Sequence, residues 1–388
     1  MGGCAIQLEL HGDVDRRFAP VADALRAGFE SGEEAGASLA VVLEGRLVVD
    51  LWAGTRDRRG QKSWEQDTLC CFFSISKALT ALCVLQAVAD ELIDLEAPVA
   101  RYWPEFAAEG KDGIQIRHLL THQAGLVGFH EALDAEDFYD WEIVTRRLAA
   151  ERPWWSPGEK HGYHARTFGW LLGEVLRRAT GSRVAEWLQD RISGPRGLDI
   201  HLGLQEAQLP RCADMLPARI RPGSGAPLSP EARAMLADFR NLDTPTGAAF
   251  QNPALGPGYM NTERFRRLEQ PAISGHGTAR SLARLFGALD EILPAQLLAE
   301  ATRVHSFGTD AVLKAVSCFG LGLMVYDPQA PIGVRPGTFG HAGAGGSMAY
   351  RDPVAGVGFC YLMNQMQEGA ITGNVSAMRT AEAVYSCL

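Results

Sequence analysis

The spacing of hydrophobic and polar positions changes near the N-terminus from a helical to a strand-like pattern. Over residues 13–34, apolar residues recur three and four positions apart, which predicts an amphipathic helix. Two runs of strand-forming residues follow at 38–43 and 46–52, and Glu44-Gly45 between them suits a tight hairpin turn. The first part of the chain therefore predicts a helix followed by a β-hairpin.

Helical patterns dominate the middle of the chain. A helix that begins near Ser74 is apolar on several faces, which is typical of a buried helix. Further helices are predicted at 140–150, 165–179 and 184–192, and Gly181 is placed to end the second of these.

A long irregular segment follows these helices. Residues 210–262 are rich in Pro, Gly, Ala and Asn, and they show one short helical piece near 230–239. Segments of this length with little periodicity often form a lid or the wall of a site. We expect such a role here.

The C-terminal part of the chain returns to strands. After a predicted helix at 278–293, strands are predicted at 319–326, 347–351 and 356–363, and a closing helix at 374–388. Strands from the two ends of the chain can pair into one antiparallel sheet with helices packed on it. The helical middle then lies on one side, with a cleft between the two parts.

The fold class that follows is α/β in the broad sense (α+β), an antiparallel sheet flanked by helices plus a mainly helical region. We expect one domain over residues 1–388. Its α/β region comprises about 1–68 and 272–388, and its mainly helical region about 69–271, with the loop-rich segment inside it.

Composition and charge restrict the expected partners. The 388 residues are 46% hydrophobic and 21% charged, which provides material for a sizeable core. The formal net charge is -9 with both signs interspersed, so a nucleic-acid partner is not expected. No basic stretch followed by an apolar one opens the chain, and the most apolar segment, 78–89, is shorter than the roughly 18 residues of a membrane span. We expect a cytoplasmic protein without a membrane partner.

The cysteine and histidine patterns predict no metal site. Eight cysteines are scattered without a C-x-x-C pair, and free thiols are expected. His118 and His122 stand four apart without an evident third ligand, so structural roles are expected for both. No cofactor is expected, and the oligomeric state is left open.

Residues 73–77, Phe-Ser-Ile-Ser-Lys, carry the first candidate chemistry. Ser74 and Lys77 are three apart, so they share a face of the predicted helix, and the helix N-terminus at Ser74 favours negative charge. A serine hydroxyl needs a nearby base, which a lysine can be when burial lowers its pKa. The alternative is a capping serine beside a solvated lysine.

Two further segments carry candidate chemistry. Tyr163 lies between a glycine-containing turn and a predicted helix, where its phenol can face a cleft and act as a general base. Residues 339–347 contain four glycines, which allow a substrate to approach the backbone, and the N–H of Ala344 can stabilise an oxyanion beside that of Ser74. The alternatives are a packed tyrosine and a flexible turn.

Taken in order, the three segments resemble the S-x-x-K, tyrosine and K-T-G elements of the serine β-lactamase and penicillin-binding-protein superfamily. More narrowly, they resemble the class C β-lactamase-like esterases, or family VIII carboxylesterases. Segments 117–126, 155–163, 274–280 and 343–347 also agree with that pattern, and the resemblance covers about residues 37–364. It implies a β-lactamase/transpeptidase-like fold with the active site in the cleft.

Two departures from the class C pattern favour the esterase branch. Class C β-lactamases carry Asn two residues after the tyrosine, where this chain has Ala165, and Lys-Thr-Gly where it has His341-Ala342-Gly343. Both changes remove side chains that would bind a β-lactam, so we expect little β-lactam hydrolysis. Substrate binding is assigned to four residues: His341, Gly343, Trp155 and His164.

The reaction implied is acyl transfer through an acyl-serine. Lys77 and Tyr163 take the proton of Ser74, which attacks the carbonyl of a small-molecule ester or amide, and the N–H groups of Ser74 and Ala344 stabilise the oxyanion. Tyr163 returns the proton to the leaving group, and water activated by the same pair then releases the acid. Alternatives are an alcohol or amine acceptor, as in a transacylase of natural-product assembly, a D-amino-acid peptidase or amidase, and a non-catalytic binding protein.

Overall fold

The computed structural model describes residues 8–219, 230–367 and 372–388. Within these ranges the strands are β1 (His11–Val14), β2 (Gly36–Leu43), β3 (Arg46–Gly54), β4 (Cys70–Phe73), β5 (Ile200–Leu202), β6 (Leu216–Arg219), β7 (Gly275–Gly277), β8 (Ser306–Thr309), β9 (Val316–Phe319), β10 (Met324–Val325), β11 (Phe339–Ala342), β12 (Met348–Asp352), β13 (Val357–Met363) and β14 (Gln365–Gln367). The α-helices are α1 (Ala19–Glu30), α2 (Ile75–Ala89), α3 (Ile116–Leu120), α4 (Trp141–Ala150), α5 (Thr167–Thr180), α6 (Val184–Trp187), α7 (Pro230–Phe239), α8 (Pro245–Gln251), α9 (Glu263–Arg267), α10 (Ala279–Gly287), α11 (Ala295–Thr302) and α12 (Val375–Ser386).

One antiparallel sheet joins the two ends of the chain. Its strand order is β1-β3-β2-β13-β12-β11-β10-β9-β8. The N-terminal and C-terminal strands meet at β2 and β13, where Ala40 stands opposite Cys360. Helices α1 and α12 pack together, and α10 packs on β13 and β2. The predicted fold class, an antiparallel sheet flanked by helices with a mainly helical region beside it, is confirmed.

Helix α2 passes through the interior between the large sheet and the helical region. It contacts β11 on one side and α5 on the other, and every residue from Ile75 to Leu85 is buried. The apolar pattern of the sequence predicts this burial. A helix without a solvent-facing side in its first turns holds any polar group there away from water.

A small sheet, in the order β4-β7-β5, supports the start of α2. Strand β4 leads directly into Ser74, and β7 packs closely against it, because a Cβ on Gly275 would lie 2.1 Å from the Phe72 ring. Glycine is therefore required at this crossing. The small sheet fixes the position of the chain just before Ser74.

The helix predicted over 13–34 is wrong at its start. Residues 11–14 form β1 against β3 instead, and α1 begins only at Ala19. The Asp15 carboxylate accepts a hydrogen bond from the Arg17 N–H (3.2 Å) and caps the intervening turn. The apolar spacing of this segment thus combines a strand residue with the face of a shorter helix.

The strand predicted over 319–326 is also wrong, because it is broken. Strands β9 and β10 are separated by a turn in which Gly322 adopts a φ of +74°. Residues 339–342, which the sequence indicates only as a glycine-rich approach, form the additional strand β11.

Several turns and ends agree with the sequence. Glu44 and Gly45 both have positive φ, +48° and +78°, as a two-residue hairpin turn requires. Gly181 ends α5 in the left-handed conformation. The short helical piece near 230–239 is α7, whereas residues 220–229 of the expected lid lie outside the described residues.

In the part of the chain that the structure describes, no helix is both long and apolar enough to cross a membrane. The predicted boundaries of the two regions, near residues 68 and 272, stay a prediction. Strands β4 and β7 lie next to these positions and pair with each other.

Candidate active site

Ser74 lies at the sharp junction between β4 and α2. Phe73, directly before it, has a left-handed backbone with a φ of +45°, which is strained for a bulky residue. The Ser76 hydroxyl donates to the Phe73 carbonyl (2.5 Å) and accepts from the Gly275 N–H (3.0 Å). These bonds tie the strained junction to β7, and the Ser74 side chain stays partly accessible.

The alternative of a capping serine beside a solvated lysine is wrong. Ser74 occupies the N-cap position of α2, but its hydroxyl makes no capping hydrogen bond. Lys77 is fully buried in the first turn of the same helix. The serine hydroxyl is therefore free to interact with the lysine.

The Lys77 amine is surrounded by oxygen atoms. Its Nζ lies 3.2 Å from Ser74 Oγ, 2.8 Å from the Ala165 carbonyl and 3.1 Å from the Ala272 carbonyl. None of the ion pairs formed by the described residues involves Lys77. Burial lowers the pKa of Lys77 well below its ordinary value, because the charged form loses its water.

A neutral Lys77 amine can make all three of these contacts. Such an amine has two N–H groups and one lone pair, and the carbonyls of Ala165 and Ala272 can only accept. In the neutral form, two N–H groups serve the carbonyls and the lone pair is left for the Ser74 hydroxyl, whereas the ammonium form donates to all three oxygens. An amine in this position can accept the serine proton.

Tyr163 packs beside the amine. Lys77 Nζ lies 4.6 Å from the centre of the tyrosine ring, and the ring stacks on Phe319 with 6.0 Å between centres. Burial raises the pKa of Tyr163, a hydrogen bond with Ser74 lowers it, and the charge of Asp310 raises it further. The net effect is a raised pKa, so the phenol keeps its proton and can donate it. The general-base role expected from the sequence needs an ionised phenol, which burial disfavours, so Lys77 is left as the base.

Asp310 holds the backbone of Tyr163 and was missed by the sequence analysis. Its Oδ1 accepts a hydrogen bond from the Tyr163 N–H at 3.0 Å. The same oxygen accepts from the N–H groups of Val312 (2.8 Å) and Leu313 (2.9 Å) in its own turn. Only this local Asx turn has a sequence signal. The contact with Tyr163, 147 residues away, has none.

The glycine-rich segment after β11 packs on the chain that leads to Ser74. A Cβ on Gly343 would lie 2.3 Å from the Phe72 carbonyl oxygen, so only glycine permits this approach. Ala344, directly beyond it, is exposed. Among the described residues, the N–H groups of Ser74 and Ala344 have no acceptor. Both are available to a substrate oxygen.

His341 is buried on β11 beside Tyr163, with 6.3 Å between ring centres. Its Nδ1 lies 2.7 Å from the Ala342 carbonyl, which can only accept, so Nδ1 carries the hydrogen. Nε2 is buried and has no partner within the described ranges. Burial and then the nearby Lys77 lower the pKa of His341 to about 3, so the ring is a neutral acceptor.

Trp155 and His164 lie next to the Tyr163 loop. Trp155 packs on Gly162, and its indole N–H has no acceptor in the described parts of the chain, so its assignment to substrate binding stays a prediction. Both ring nitrogens of His164 are occupied, by the Gly162 carbonyl (2.8 Å) and the Leu126 N–H (3.1 Å). His164 is fully buried with no polar atom left for a substrate. It is therefore not part of the site that we propose.

No group of three or more His, Cys, Asp or Glu side chains within residues 8–219, 230–367 and 372–388 is placed to hold a metal ion. The two histidines considered from the sequence support local structure. Nδ1 of His118 accepts from the Gln115 N–H (3.1 Å), and Nδ1 of His122 accepts from the His164 N–H (3.1 Å).

Comparison with known proteins agrees with this geometry. A family model described as "Beta-lactamase" matches residues 21–381. The chain belongs to the β-lactamase family. The esterase/β-lactamase LipL of Mycobacterium tuberculosis is 36% identical over 372 residues, which cover 92% of this chain and 83% of LipL.

Two solved structures of this family cover the whole fold. A penicillin-binding protein homologue from Caulobacter crescentus has a TM-score of 0.88 at 34% identity, covering 98% of this chain and 100% of that one. A family VIII carboxylesterase has a TM-score of 0.87, also at 34% identity and covering 98% and 100%. The resemblance drawn from the sequence and the β-lactamase/transpeptidase-like fold are both confirmed.

The structure explains how this β-lactamase-family protein accommodates its departures from the class C pattern. At the position of the class C asparagine, the backbone carbonyl of Ala165 binds Lys77. At the position of the lysine of Lys-Thr-Gly, the neutral His341 replaces a cation. The amine is thus held without a polar side chain at 165, while the cleft loses a positive charge.

Proposed function

We propose that this protein is a serine carboxylesterase that cleaves small esters through an acyl-Ser74 intermediate. The observation that carries the proposal is the Lys77 amine, which is buried, bonded to two carbonyls and 3.2 Å from Ser74 Oγ. The names of LipL and of the family VIII carboxylesterase support the same reaction class.

Acylation begins when Ser74 Oγ attacks the ester carbonyl and the Ser74 proton passes to the Lys77 lone pair. The carbonyl oxygen becomes an oxyanion, which the N–H groups of Ser74 and Ala344 stabilise. The intermediate then collapses, the bond to the alkoxy oxygen breaks, and Tyr163 donates its proton to that oxygen. The Lys77 ammonium returns a proton to the tyrosine, which leaves a neutral site and an acyl-serine.

Deacylation repeats these roles with water as the nucleophile and Ser74 as the leaving group, and the Lys77 ammonium again returns its proton to Tyr163 at the end. Lys77 takes a proton from the water that attacks the acyl carbonyl, and Ser74 leaves with a proton from Tyr163. The acid product is released and both side chains regain their starting states. Ser74 is partly exposed and Ala344 is exposed, which supports substrate entry beside them. His341, Gly343 and Trp155 are the proposed substrate contacts.

The test is the intact mass of the protein after brief incubation with an activated short-chain ester such as p-nitrophenyl acetate. The wild type should gain one acetyl group and Ser74→Ala none. The exposed Ser386 offers a matched control, and Ser386→Ala should acylate like the wild type. An adduct that persists in Ser74→Ala, or full ester turnover by that variant, would refute the proposed nucleophile.

The acceptor is tested with the same acyl-enzyme. For an esterase, added alcohols and amines should leave the free acid as the main product, measured by chromatography. A new ester or amide as the main product would mean that the protein is a transacylase and not an esterase. Ser74, Lys77 and Tyr163 would keep the same roles.

A further inference from the structure

Asp310 belongs to a buried polar array that contacts the backbone of Tyr163. Its carboxylate is fully buried and accepts the backbone N–H of Tyr163. Its other oxygen, Oδ2, lies 3.0 Å from the Ser317 hydroxyl, and that hydroxyl lies 2.9 Å from His161 Nε2. Since the carboxylate accepts, Ser317 donates to Asp310 and accepts from the His161 N–H.

Burying a carboxylate such as that of Asp310 costs free energy unless hydrogen-bond donors surround it. Among the described residues no lysine, arginine or histidine forms an ion pair with Asp310. Three N–H groups and one hydroxyl take the place of a cation. A carboxylate held in this way stays at a fixed distance from the tyrosine.

The loop that carries Asp310 is fixed on both sides. The Ala311 N–H donates to the His161 carbonyl (3.1 Å), which joins it to the tyrosine segment a second time. On its far side, the Thr246 hydroxyl in α8 donates to the Val312 carbonyl (2.7 Å). The backbone of Tyr163 is therefore braced against the large sheet and the helical region at once.

We propose that Asp310 is a positioning residue that sets the Tyr163 phenol as proton donor to the leaving group. The inference rests on the proposed esterase function, in which that donation completes acylation. The charge of Asp310 also raises the pKa of Tyr163, which keeps the phenol protonated before the step, whereas the donation itself depends on where the phenol is held. Small displacements of a proton donor are sufficient to slow such a step strongly.

The experiment compares esters whose leaving groups need a proton with esters whose leaving groups do not. An ethyl ester releases an alkoxide that must be protonated, whereas p-nitrophenolate leaves without help. Asp310→Asn keeps the size and one acceptor oxygen but removes the charge. Its kcat/KM should fall by about tenfold or more for the ethyl ester, within the range of general acid catalysis, and by less than about threefold for the p-nitrophenyl ester.

Ser317→Ala is the matched control, because it removes the bond to Oδ2 and leaves the contact with the Tyr163 N–H. It should keep the wild-type ratio between the two esters. Asp310→Glu keeps the charge, but its extra methylene displaces the tyrosine, so it should show the same selective loss for the ethyl ester. Equal slowing of both esters, or of neither, in Asp310→Asn and Asp310→Glu would overturn the positioning role.

Tyr163→Phe separates this inference from the proposed function. It should lose ethyl ester activity selectively, and Asp310→Asn added to it should cause no further selective loss, since both changes remove one step. If Tyr163→Phe shows no dependence on the leaving group, the proton-donor role of Tyr163 in the proposed function is wrong. If it shows that dependence and the Asp310 variants do not, only the role of Asp310 is wrong.

Discussion

Replacing Lys77 with methionine should change how the stability of the protein depends on pH. In the folded protein, burial holds the pKa of Lys77 well below its ordinary value, whereas in the unfolded chain it returns to about 10.4. Between these two pKa values the unfolded chain binds one more proton than the folded protein. The free energy of unfolding therefore rises with pH across this window.

The magnitude follows from one proton, which corresponds to about 1.4 kcal/mol per pH unit. From about pH 8 to about pH 9.5, the wild type should gain roughly 2 kcal/mol that Lys77→Met does not gain. Methionine also leaves the carbonyls of Ala165 and Ala272 without their donor, at a cost of about 1–3 kcal/mol each. This cost does not vary with pH, so it shifts the curve of the variant without changing its slope.

The assay is urea unfolding of the wild type and Lys77→Met at matched pH values. Other titrating groups are common to both proteins and cancel in the difference. Lys62→Met is the control for loss of a lysine as such, because Lys62 is exposed. A difference between wild type and Lys77→Met that stays constant over the range would mean that Lys77 is charged in the folded protein, and the lysine base would have to be abandoned.

Two further changes test the oxyanion site and the buried carboxyl group of Glu34. Gly343→Ala places a Cβ 2.3 Å from the Phe72 carbonyl oxygen and displaces the Ala344 N–H, so kcat/KM for esters should fall by about 100-fold. Gly113→Ala is the control, because a Cβ there meets nothing within 4 Å, and it should keep full activity. Equal activity of the two variants would count against the oxyanion assignment. Burial raises the pKa of Glu34 to about 8, so the folded protein retains a proton that the unfolded chain loses above about 4.3, and wild-type stability falls as pH rises between these values. Glu34→Gln should remove this fall in a series of thermal unfolding measurements from about pH 5 to 8, and an unchanged slope would show that Glu34 is ionised when folded.

The sequence predicts the part of the site that is local in the chain. Ser74 and Lys77 share one turn of an apolar helix, so their spacing and surroundings together predict both their proximity and the burial of the lysine. The order of three short segments predicts the fold class, since the family pattern depends on that order. The short β1 escapes the analysis because its apolar spacing continues that of α1.

The remaining contacts of the site join distant segments through the backbone. The carbonyls of Ala165 and Ala272 hold the Lys77 amine, and any residue supplies a carbonyl, so no side-chain pattern marks these positions. The contact of Asp310 with Tyr163 also uses a backbone N–H, so the sequence gives no sign of it either. The place of His164 beside the tyrosine in the sequence suggests a contact with substrate. In the structure, both of its ring nitrogens instead contact backbone groups.

One physical cause prepares both proton-handling groups of the proposed site. Burial favours the neutral form of any ionisable side chain, so it lowers the pKa of the Lys77 amine and raises that of the Tyr163 phenol. The result is a base with a free lone pair and an acid with its proton, a few ångströms apart and without a charged partner for the lysine. A substitution that admits water to the lysine should therefore weaken both groups together, whereas a change at Asp310 acts on the tyrosine alone. If such a variant loses the base function of Lys77 and the acid function of Tyr163 together, burial prepares the site. If it loses only one of them, individual contacts prepare each group.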